Sequence, residues 1–367
     1  MILRVFLSLA LAITFTAAPM AQAQDATAVK PSAKQLAARG VAFLRSSQDD
    51  DGSFSSFAGP AITALAATGL QRSGVSTSDP AVAKAIDYLL KHRREDGGIY
   101  GEGSNHRNYE TALAVVCLAE ANKDGKYDEI IAKAEAFLKN IQWDEEDGTE
   151  KDNLYYGGGG YGSHDRPDLS NTSFLLDALT AAGNGADDPA IQKALVFVSR
   201  TQNLESEFNS TEFAAKIGDG GFFYTPASGG QSKAGETENG GLRSYGSMTY
   251  AGLKSLIYAG LDKDDVRVKA ATSWIKKNYT LDNNPGMGTS GQFYYYHTFA
   301  KALSLLGDDV LVDEDGNEHD WSDELVSKLA EMQKSDGSWL NSDERWMEAD
   351  PNLVTGYVLI ALSYCEE

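Results

Sequence analysis

The chain contains a helical segment that recurs along its length. Four copies are DPAVAKAIDYL from Asp79, DEIIAKAEAFL from Asp128, DPAIQKALVFV from Asp188 and DVRVKAATSWI from Asp265. Each opens with an aspartate, a preferred helix N-cap, and places its apolar residues on one face of a helix. KQLAARGVAFL, from Lys34, fits the same frame without the aspartate. Such internal repetition predicts an architecture in which each unit buries its apolar face against its neighbours.

Each copy leads to a glycine-rich turn and then to a second apolar helix. The turns are DDDGSF, EDGGIY, YYGGGGYG, GDGGFF, NNPGMG and SDGSW, and their Asp-Gly, Gly-Gly and Pro-Gly pairs are typical of tight turns. Every second helix carries a threonine near its start: Thr63, Thr111, Thr172, Thr249, Thr298 and Thr355. The unit is therefore helix, turn, helix. We place the six units at about 34–75, 79–125, 128–185, 188–260, 265–307 and 320–365, in one domain that covers 34–367.

The first residues have the pattern of an export signal. MILRVFLSLALAITFTAAPMAQAQ has one arginine, an apolar run and then Ala21-Gln22-Ala23, the small-x-small pattern of a signal-peptidase site. We expect a signal peptide over 1–23, a linker over 24–33, and a periplasmic or extracellular protein after cleavage near Ala23. No segment predicts a membrane span.

The composition is strongly acidic, with a formal net charge of −21 from 53 acidic and 32 basic residues. Such a surface repels phosphate backbones, so we expect no nucleic-acid partner. The two cysteines, Cys117 and Cys365, lie in apolar helical stretches of units that are not adjacent, and we expect both to be free and buried.

Two of the turns carry a family resemblance. The stretches LAEMQKSDGSW (329–339) and FLRSSQDDDGSF (43–54) resemble the QW repeat of squalene and hopene cyclases, and the helix pairs with their threonines resemble the prenyltransferase and squalene-cyclase repeat. The resemblance covers nearly all of 34–365. It implies an all-α protein, an α/α toroid of about six helical hairpins, with inner and outer helix rings around a central cavity.

The catalytic and metal-binding motifs of these relatives, compared with this chain residue by residue, are absent or misplaced. The resemblance implies an acidic D-x-D-D motif at the start of an inner helix, but the DKDD of 262–265 precedes a helix of the outer type, where Asp265 is expected to be a cap. The Asp-x-Cys of zinc-dependent prenyltransferases is absent, as is the Cys-Gly-Glu-Gln of thioester proteins. We therefore predict no cofactor and no metal, and assign no catalytic residue.

The turns that lead into the threonine-bearing helices collect polar and aromatic residues. If the toroid forms, they converge at one mouth of the cavity, the usual form of a ligand site. We name nine of them as candidate ligand-binding residues: Tyr109, Glu110, Asp168, Tyr245, Tyr295, His297, Glu348, Asp350 and Asn352. The same turns also contain His106, Arg107, His164, Arg166, Tyr294 and Trp346. For single residues, a helix cap or packing is an alternative role.

Two segments lie outside the repeat. VLVDEDGNEHDW (310–321) is predicted to be a hairpin with a solvated turn, although Asp313, Asp315 and Glu318 also suggest calcium. The insertion over 203–241 is rich in Gly, Ser and Glu and is predicted to be a loop over the rim, with a lid as one possible role.

Three functions remain open from the sequence. The favoured one is an exported toroid that binds a small molecule or an exported protein at its cavity without the chemistry of its relatives. The alternatives are an enzyme of terpene-cyclase or prenyltransferase type with unfamiliar catalytic groups, and a carbohydrate-active enzyme that uses rim carboxylates. An isoprenoid site should have aromatic side chains deep in the cavity, whereas a saccharide site should have carboxylates beside exposed aromatic side chains at the mouth.

Overall fold

The structure is a computed structural model that describes residues 30–162 and 165–365. The predicted signal peptide, most of the predicted linker and His164 lie outside the described residues. One compact unit begins at Pro31.

The described residues form thirteen α-helices and one two-stranded antiparallel sheet. The helices are α1 (Ala33–Ser47), α2 (Ala61–Arg72), α3 (Pro80–Lys91), α4 (Arg107–Ala121), α5 (Asp128–Asn140), α6 (Leu169–Ala181), α7 (Pro189–Arg200), α8 (Ala214–Ile217), α9 (Gly246–Tyr258), α10 (Val266–Lys277), α11 (Gln292–Leu306), α12 (Trp321–Met332) and α13 (Pro351–Leu362). The strands are β1 (Val310–Val312) and β2 (Glu318–Asp320). None of these helices combines the length and the hydropathy that a membrane span requires.

The threonine-bearing helices form a closed inner ring. Helix α2 packs against α4, α4 against α6, α6 against α9, α9 against α11 and α11 against α13, and α13 returns to pack against α2. The helices of the other set pack outside this ring: α3 against α2, α5 against α4, α7 against α6, α10 against α9, α12 against α11 and α1 against α13. The predicted α/α toroid is confirmed.

Aspartate caps start most of the outer helices. The side chains of Asp79, Asp188 and Asp265 accept hydrogen bonds from the first-turn amides of α3, α7 and α10. Asp265 is therefore a helix cap, as expected. The prediction for Asp128 was wrong, because this residue is the first residue of α5 and its carboxylate instead accepts from the side chain of Asn122.

The glycine-rich turns are fixed by the repeated threonine and glutamine. The hydroxyl oxygen of Thr63 accepts from the backbone N–H of Phe54 in the preceding turn at 2.9 Å, and equivalent bonds form at Thr111, Thr172, Thr249 and Thr355. The side-chain amide of Gln142 donates to the carbonyl of Gly157 in its own turn and to Ala190 in the next outer helix. Gly157 has φ of 78°, and a Cβ there would lie 1.8 Å from the carbonyl oxygen of Lys193, so only glycine fits.

The structure also contains the predicted hairpin and shows the surroundings of both cysteines. The predicted hairpin forms β1 and β2, and the carboxylate of Asp313 accepts backbone bonds from Asp315 and Asn317 in its turn. Cys117 and Cys365 do not form a disulfide with each other. Cys117 is buried in α4, but Cys365 lies beyond the end of α13 and is partly exposed, so the expectation of burial holds for Cys117 only.

Candidate functional site

A cavity of about 940 Å³ opens at the N-terminal ends of the inner helices. All six inner helices begin at the same end of the ring and each contributes a side chain from its first turns. Examples are Ala61, Tyr109, Ser170, Ser247, Tyr294 and Leu353. The volume lies within the range of pockets that hold small organic ligands.

Four aromatic rings from four inner helices form a closed cluster in the wall of this cavity. Tyr109 meets Phe174 edge to face with ring centroids 4.9 Å apart, Phe174 stacks on Tyr294 at 6.0 Å, and Tyr294 lies 5.9 Å from Tyr357. The hydroxyls of Tyr357 and Tyr109 close the cycle at 3.1 Å. We call these four residues the aromatic cluster. Burial raises the pKa of all three tyrosines, so their hydroxyls stay neutral and the aromatic cluster is uncharged.

A buried charged group lies beyond the aromatic cluster. The carboxylate of Asp177 accepts from the ammonium of Lys254 at 2.6 Å and from that of Lys301 at 2.7 Å. Burial opposes ionisation of Asp177, but the two lysines outweigh it and hold its pKa well below the usual range. Burial lowers the pKa of Lys254 to about 8, against the attraction of Asp177. The Nζ of Lys254 lies 6.0 Å from the ring centroid of Phe174, which connects this group to the cavity wall.

Two carboxylates that line the cavity, those of Glu110 and Glu348, hold local structure. Glu110 is 3% exposed and accepts from the hydroxyl of Ser104 and the backbone N–H of Gly101, both at 2.7 Å. Glu348 is fully buried and accepts from the backbone N–H of Tyr294 at the start of α11 and from Asn341. Burial raises the pKa of Glu348, although these hydrogen bonds oppose the shift.

The cavity lining includes four of the nine residues named from the sequence, namely Tyr109, Glu110, Tyr245 and Glu348. Asp168 lies behind the lining as the N-cap of α6, where its carboxylate accepts from the backbone and side chain of Asn171. Burial raises its pKa, and the bonds from Asn171 oppose that shift.

Four of the nine residues named from the sequence do not line the cavity and have other contacts within the described residues. Tyr295 packs against Tyr250 and Phe299 in the core and donates to the carbonyl of Thr280. Asp350 caps α13. Asn352 joins Ser55 to Ser47 through its amide group.

His297, the fourth, is buried next to Tyr357, with its ring centroid 5.2 Å from that tyrosine. Among the described residues its Nδ1 has no hydrogen-bond partner. Burial, then the ammonium groups of Lys301 and Lys254, lower the pKa of His297 well below its usual value, so the ring is neutral.

Several lining residues were not among the nine. Phe174 and Tyr357 lie two residues after the repeated threonine, and Tyr294 lies four before it. A usable signal was present, because the position two residues before the threonine lines the cavity in five units, as Ala61, Tyr109, Ser170, Ser247 and Leu353.

The mouth of the cavity carries exposed aromatic side chains and part of the insertion. Phe57 is 79% exposed and Trp346 41%. Trp346 has a left-handed backbone (φ 55°), and its ring lies over Gly291 and under the guanidinium of Arg345, whose Cζ is 4.3 Å from the ring centroid. From the insertion, Tyr224 and Lys233 line the cavity.

A smaller cavity of about 300 Å³ lies among the C-terminal halves of the inner helices. Its polar lining includes Arg72, Glu120, Asp177 and Lys301. Arg72 pairs with Glu120 at 2.7 Å and donates to the hydroxyl of Tyr364, so the lining charges at this end are paired with one another.

Comparison with known sequences shows similarity to squalene-hopene cyclases. The family model of the squalene-hopene cyclase C-terminal domain matches residues 57–226. Over 147 residues, 39% of this chain, the sequence is 31% identical to the squalene–hopene cyclase of Zymomonas mobilis subsp. mobilis. The matched stretch spans 22% of that protein, about a fifth of its length.

A solved structure of a terpene cyclase shows the same fold. The apo structure of a single-residue variant of the type II terpene cyclase MstE from Scytonema aligns with a TM-score of 0.53 and 14% identity, covering 91% of this chain and 96% of that one. A crystal structure of a protein from Actinoplanes aligns with a TM-score of 0.48 and 15% identity, covering 91% and 99%.

Proposed function

We propose that the central cavity of this chain, whose sequence is similar to squalene-hopene cyclases and whose fold is that of a type II terpene cyclase, binds an isoprenoid-type molecule. We propose further that it acts after export, in the periplasm or outside the cell, because its first 23 residues have the pattern of a signal peptide.

The aromatic cluster is the observation that carries this proposal. Its four rings lie on the inner helices and are buried or partly buried, unlike Phe57 and Trp346 at the exposed mouth, and its three tyrosine hydroxyls are bonded to one another or to Ser170. Aromatic faces of this kind favour flexible hydrocarbon chains through dispersion and burial of apolar area. A saccharide would instead require free hydrogen-bonding groups beside the rings.

The proposal is for binding without acid catalysis. A cyclase needs a carboxyl group that can deliver a proton into the cavity. Three glutamates line the cavity. Glu102 is exposed to solvent, and N–H and O–H donors of the protein already occupy the oxygens of Glu110 and Glu348. The DKDD motif belongs to the cap of α10.

The test is a binding measurement on the mature protein. Native mass spectrometry of protein from its exported fraction looks for a co-purifying hydrocarbon, and calorimetry measures the affinity for geranylgeraniol. We expect Ser170→Phe, which puts a ring into the cavity, to weaken geranylgeraniol binding at least about tenfold. The matched control is Ser273→Phe on the exposed face of α10, which should bind as the parent does.

Two results would overturn the proposal. Undetectable binding of geranylgeraniol by a folded protein would remove the isoprenoid assignment. Release of a cyclised hydrocarbon after incubation with geranylgeraniol or squalene would show that the site is catalytic.

A further inference from the structure

We propose that Arg166 and Lys233 form a recognition site for an anionic head group at the mouth of the cavity, so that the ligand is an amphiphile with an acidic head and an apolar tail. This inference rests on the proposed function, since the tail would occupy the aromatic cluster.

The two cations share a single neutral acceptor. Nη1 of Arg166 donates to Oε1 of Gln231 at 3.2 Å, and Nζ of Lys233 donates to the same oxygen at 2.9 Å. The two nitrogens are therefore closer together than the sum of these distances. Both groups also lie against the ring of Tyr224, with Lys233 Nζ at 4.4 Å and Arg166 Cζ at 5.5 Å from its centroid.

One member of the pair, Lys233, lines the same cavity as the aromatic cluster, and Arg166 lies beside it through Gln231 and the ring of Tyr224. Lys233 and Tyr224 belong to the cavity lining, together with the four aromatic residues of the cluster. A ligand that enters between Phe57 and Trp346 would therefore meet the cations at the mouth and the rings deeper inside. This arrangement matches a molecule with one charged end.

The backbone around the pair is held by hydrogen bonds to the toroid. Thr225 and Gln231 exchange two backbone bonds and form the stem of a small hairpin. The hydroxyl of Thr225 donates to the carbonyl of Pro167 at 2.7 Å, and the carbonyl of Tyr224 accepts from the N–H of Leu169 at 2.9 Å. The insertion is thus tied to the start of α6 at this point, so the two cations are positioned before a ligand arrives.

Within the described part of the chain, the two cations have no carboxylate partner of their own. Several other cations of this acidic chain do have one, as Lys139 does with Asp188 and Lys193 with Asp144. Among the described residues, neither Arg166 nor Lys233 forms an ion pair. The nearby carboxylate of Asp168 is buried and occupied as the cap of α6.

The lowered pKa of Lys233 agrees with its position beside Arg166. Burial, then repulsion by Arg166, lowers its pKa, while Asp168 opposes the shift and Arg345 adds to it. An anion bound between Lys233 and Arg166 would relieve that repulsion. A guanidinium beside an ammonium suits both carboxylate and phosphate oxygens, which accept charge-assisted hydrogen bonds from each.

The experiment compares ligands that share a tail and differ in the head. Calorimetry at low and moderate salt measures dissociation constants for geranylgeranoic acid, geranylgeranyl monophosphate and geranylgeraniol. We expect at least one anionic ligand to bind about tenfold or more tightly than the alcohol, and the advantage to shrink as salt rises. The anion whose affinity exceeds that of the alcohol by the larger factor identifies the head group.

The variant Arg166→Gln/Lys233→Gln should lose that advantage, so that it binds neither anion more tightly than it binds the alcohol. Lys216→Gln is the matched control, because Lys216 lies in the same insertion and also contacts an aromatic ring, that of Phe213, but is paired with Glu212. It should keep the preference for the anion.

Two outcomes separate this inference from the proposed function. Equal affinity of the parent protein for the alcohol and both anions would overturn the head-group site and leave the cavity as a binding site for apolar molecules. No binding of any of the three would overturn both. Retention of the anion preference in the double variant, with an unchanged melting temperature, would also overturn the assignment to Arg166 and Lys233.

Discussion

The side-chain amide of Gln333 donates a hydrogen bond to the carbonyl oxygen of Leu36 at 3.1 Å, although the two residues are 297 positions apart. Leu36 lies in α1 and Gln333 directly follows α12, so this bond joins the last helical unit to the first. The same amide binds Gly337 in its own turn, as Gln142 does with Gly157. A contact that links successive units elsewhere therefore also closes the ring.

We expect Gln333→Ala to destabilise the toroid by about 1–2 kcal/mol, because it removes two hydrogen bonds that hold a turn and the ring closure. Urea unfolding followed by circular dichroism measures the change. The control Glu331→Ala, on the exposed side of α12, should change stability by less than about 0.5 kcal/mol. If the two variants unfold alike, packing of α1 against α13 closes the ring without this glutamine.

We expect Asp177→Asn to destabilise the protein by about 3–5 kcal/mol, because it leaves the ammonium groups of Lys254 and Lys301 buried without a carboxylate. Asp308→Asn serves as the control, since its ion pair with Lys263 is about half exposed and should contribute at most about 1 kcal/mol. Equal losses in the two variants would contradict the role given to burial.

The stability should fall as the pH drops below about 6.5, in part because of His297. Its pKa is well below 6.5 in the folded protein and near 6.5 in the unfolded chain, so the unfolded state binds an additional proton in that window. The contribution is fully present above pH 6.5 and is lost as the pH falls, with a slope of at most about 1.4 kcal/mol per pH unit. Urea unfolding between pH 7.5 and 5.5 measures it.

His297→Asn should flatten that pH dependence. His319 is the internal comparison, because burial lowers its pKa but hydrogen bonds with Asp313 and Glu324 raise it overall, and its contribution is present at low pH and lost above about 6.5. His319→Asn should therefore remove a term of the opposite sign. An unchanged slope in His297→Asn would mean that this histidine is charged in the folded state.

The two cysteines should differ in reactivity. Burial raises the pKa of Cys117 to about 12, whereas Cys365 is partly exposed beyond α13. Iodoacetamide at pH 8 should therefore modify Cys365 first and modify Cys117 only after unfolding. Peptide mass mapping after timed labelling gives the order. A mass for an internal disulfide in the native protein, or equal labelling rates, would contradict the placement of α4.

The sequence determined the architecture because the repeat depends on interactions between residues that are close together in the chain. Helix caps such as Asp79 and Asp265, the 3.6-residue period and the glycines of the turns act within a few residues, and their order along the chain predicts helical pairs stacked on one another. The threonine at the start of each inner helix likewise located the mouth of the cavity.

Only the tertiary structure decided which side chains line the cavity. Tyr294 and Tyr295 are adjacent in a run of three tyrosines, yet Tyr294 lines the cavity and Tyr295 packs into the core, because successive residues of a helix point about 100° apart. Their orientation follows from how α11 packs between α9 and α13. Contacts between residues far apart in the sequence, such as Asp177 with Lys301 or Arg166 with Gln231, have no local signature, since they arise only when distant segments meet.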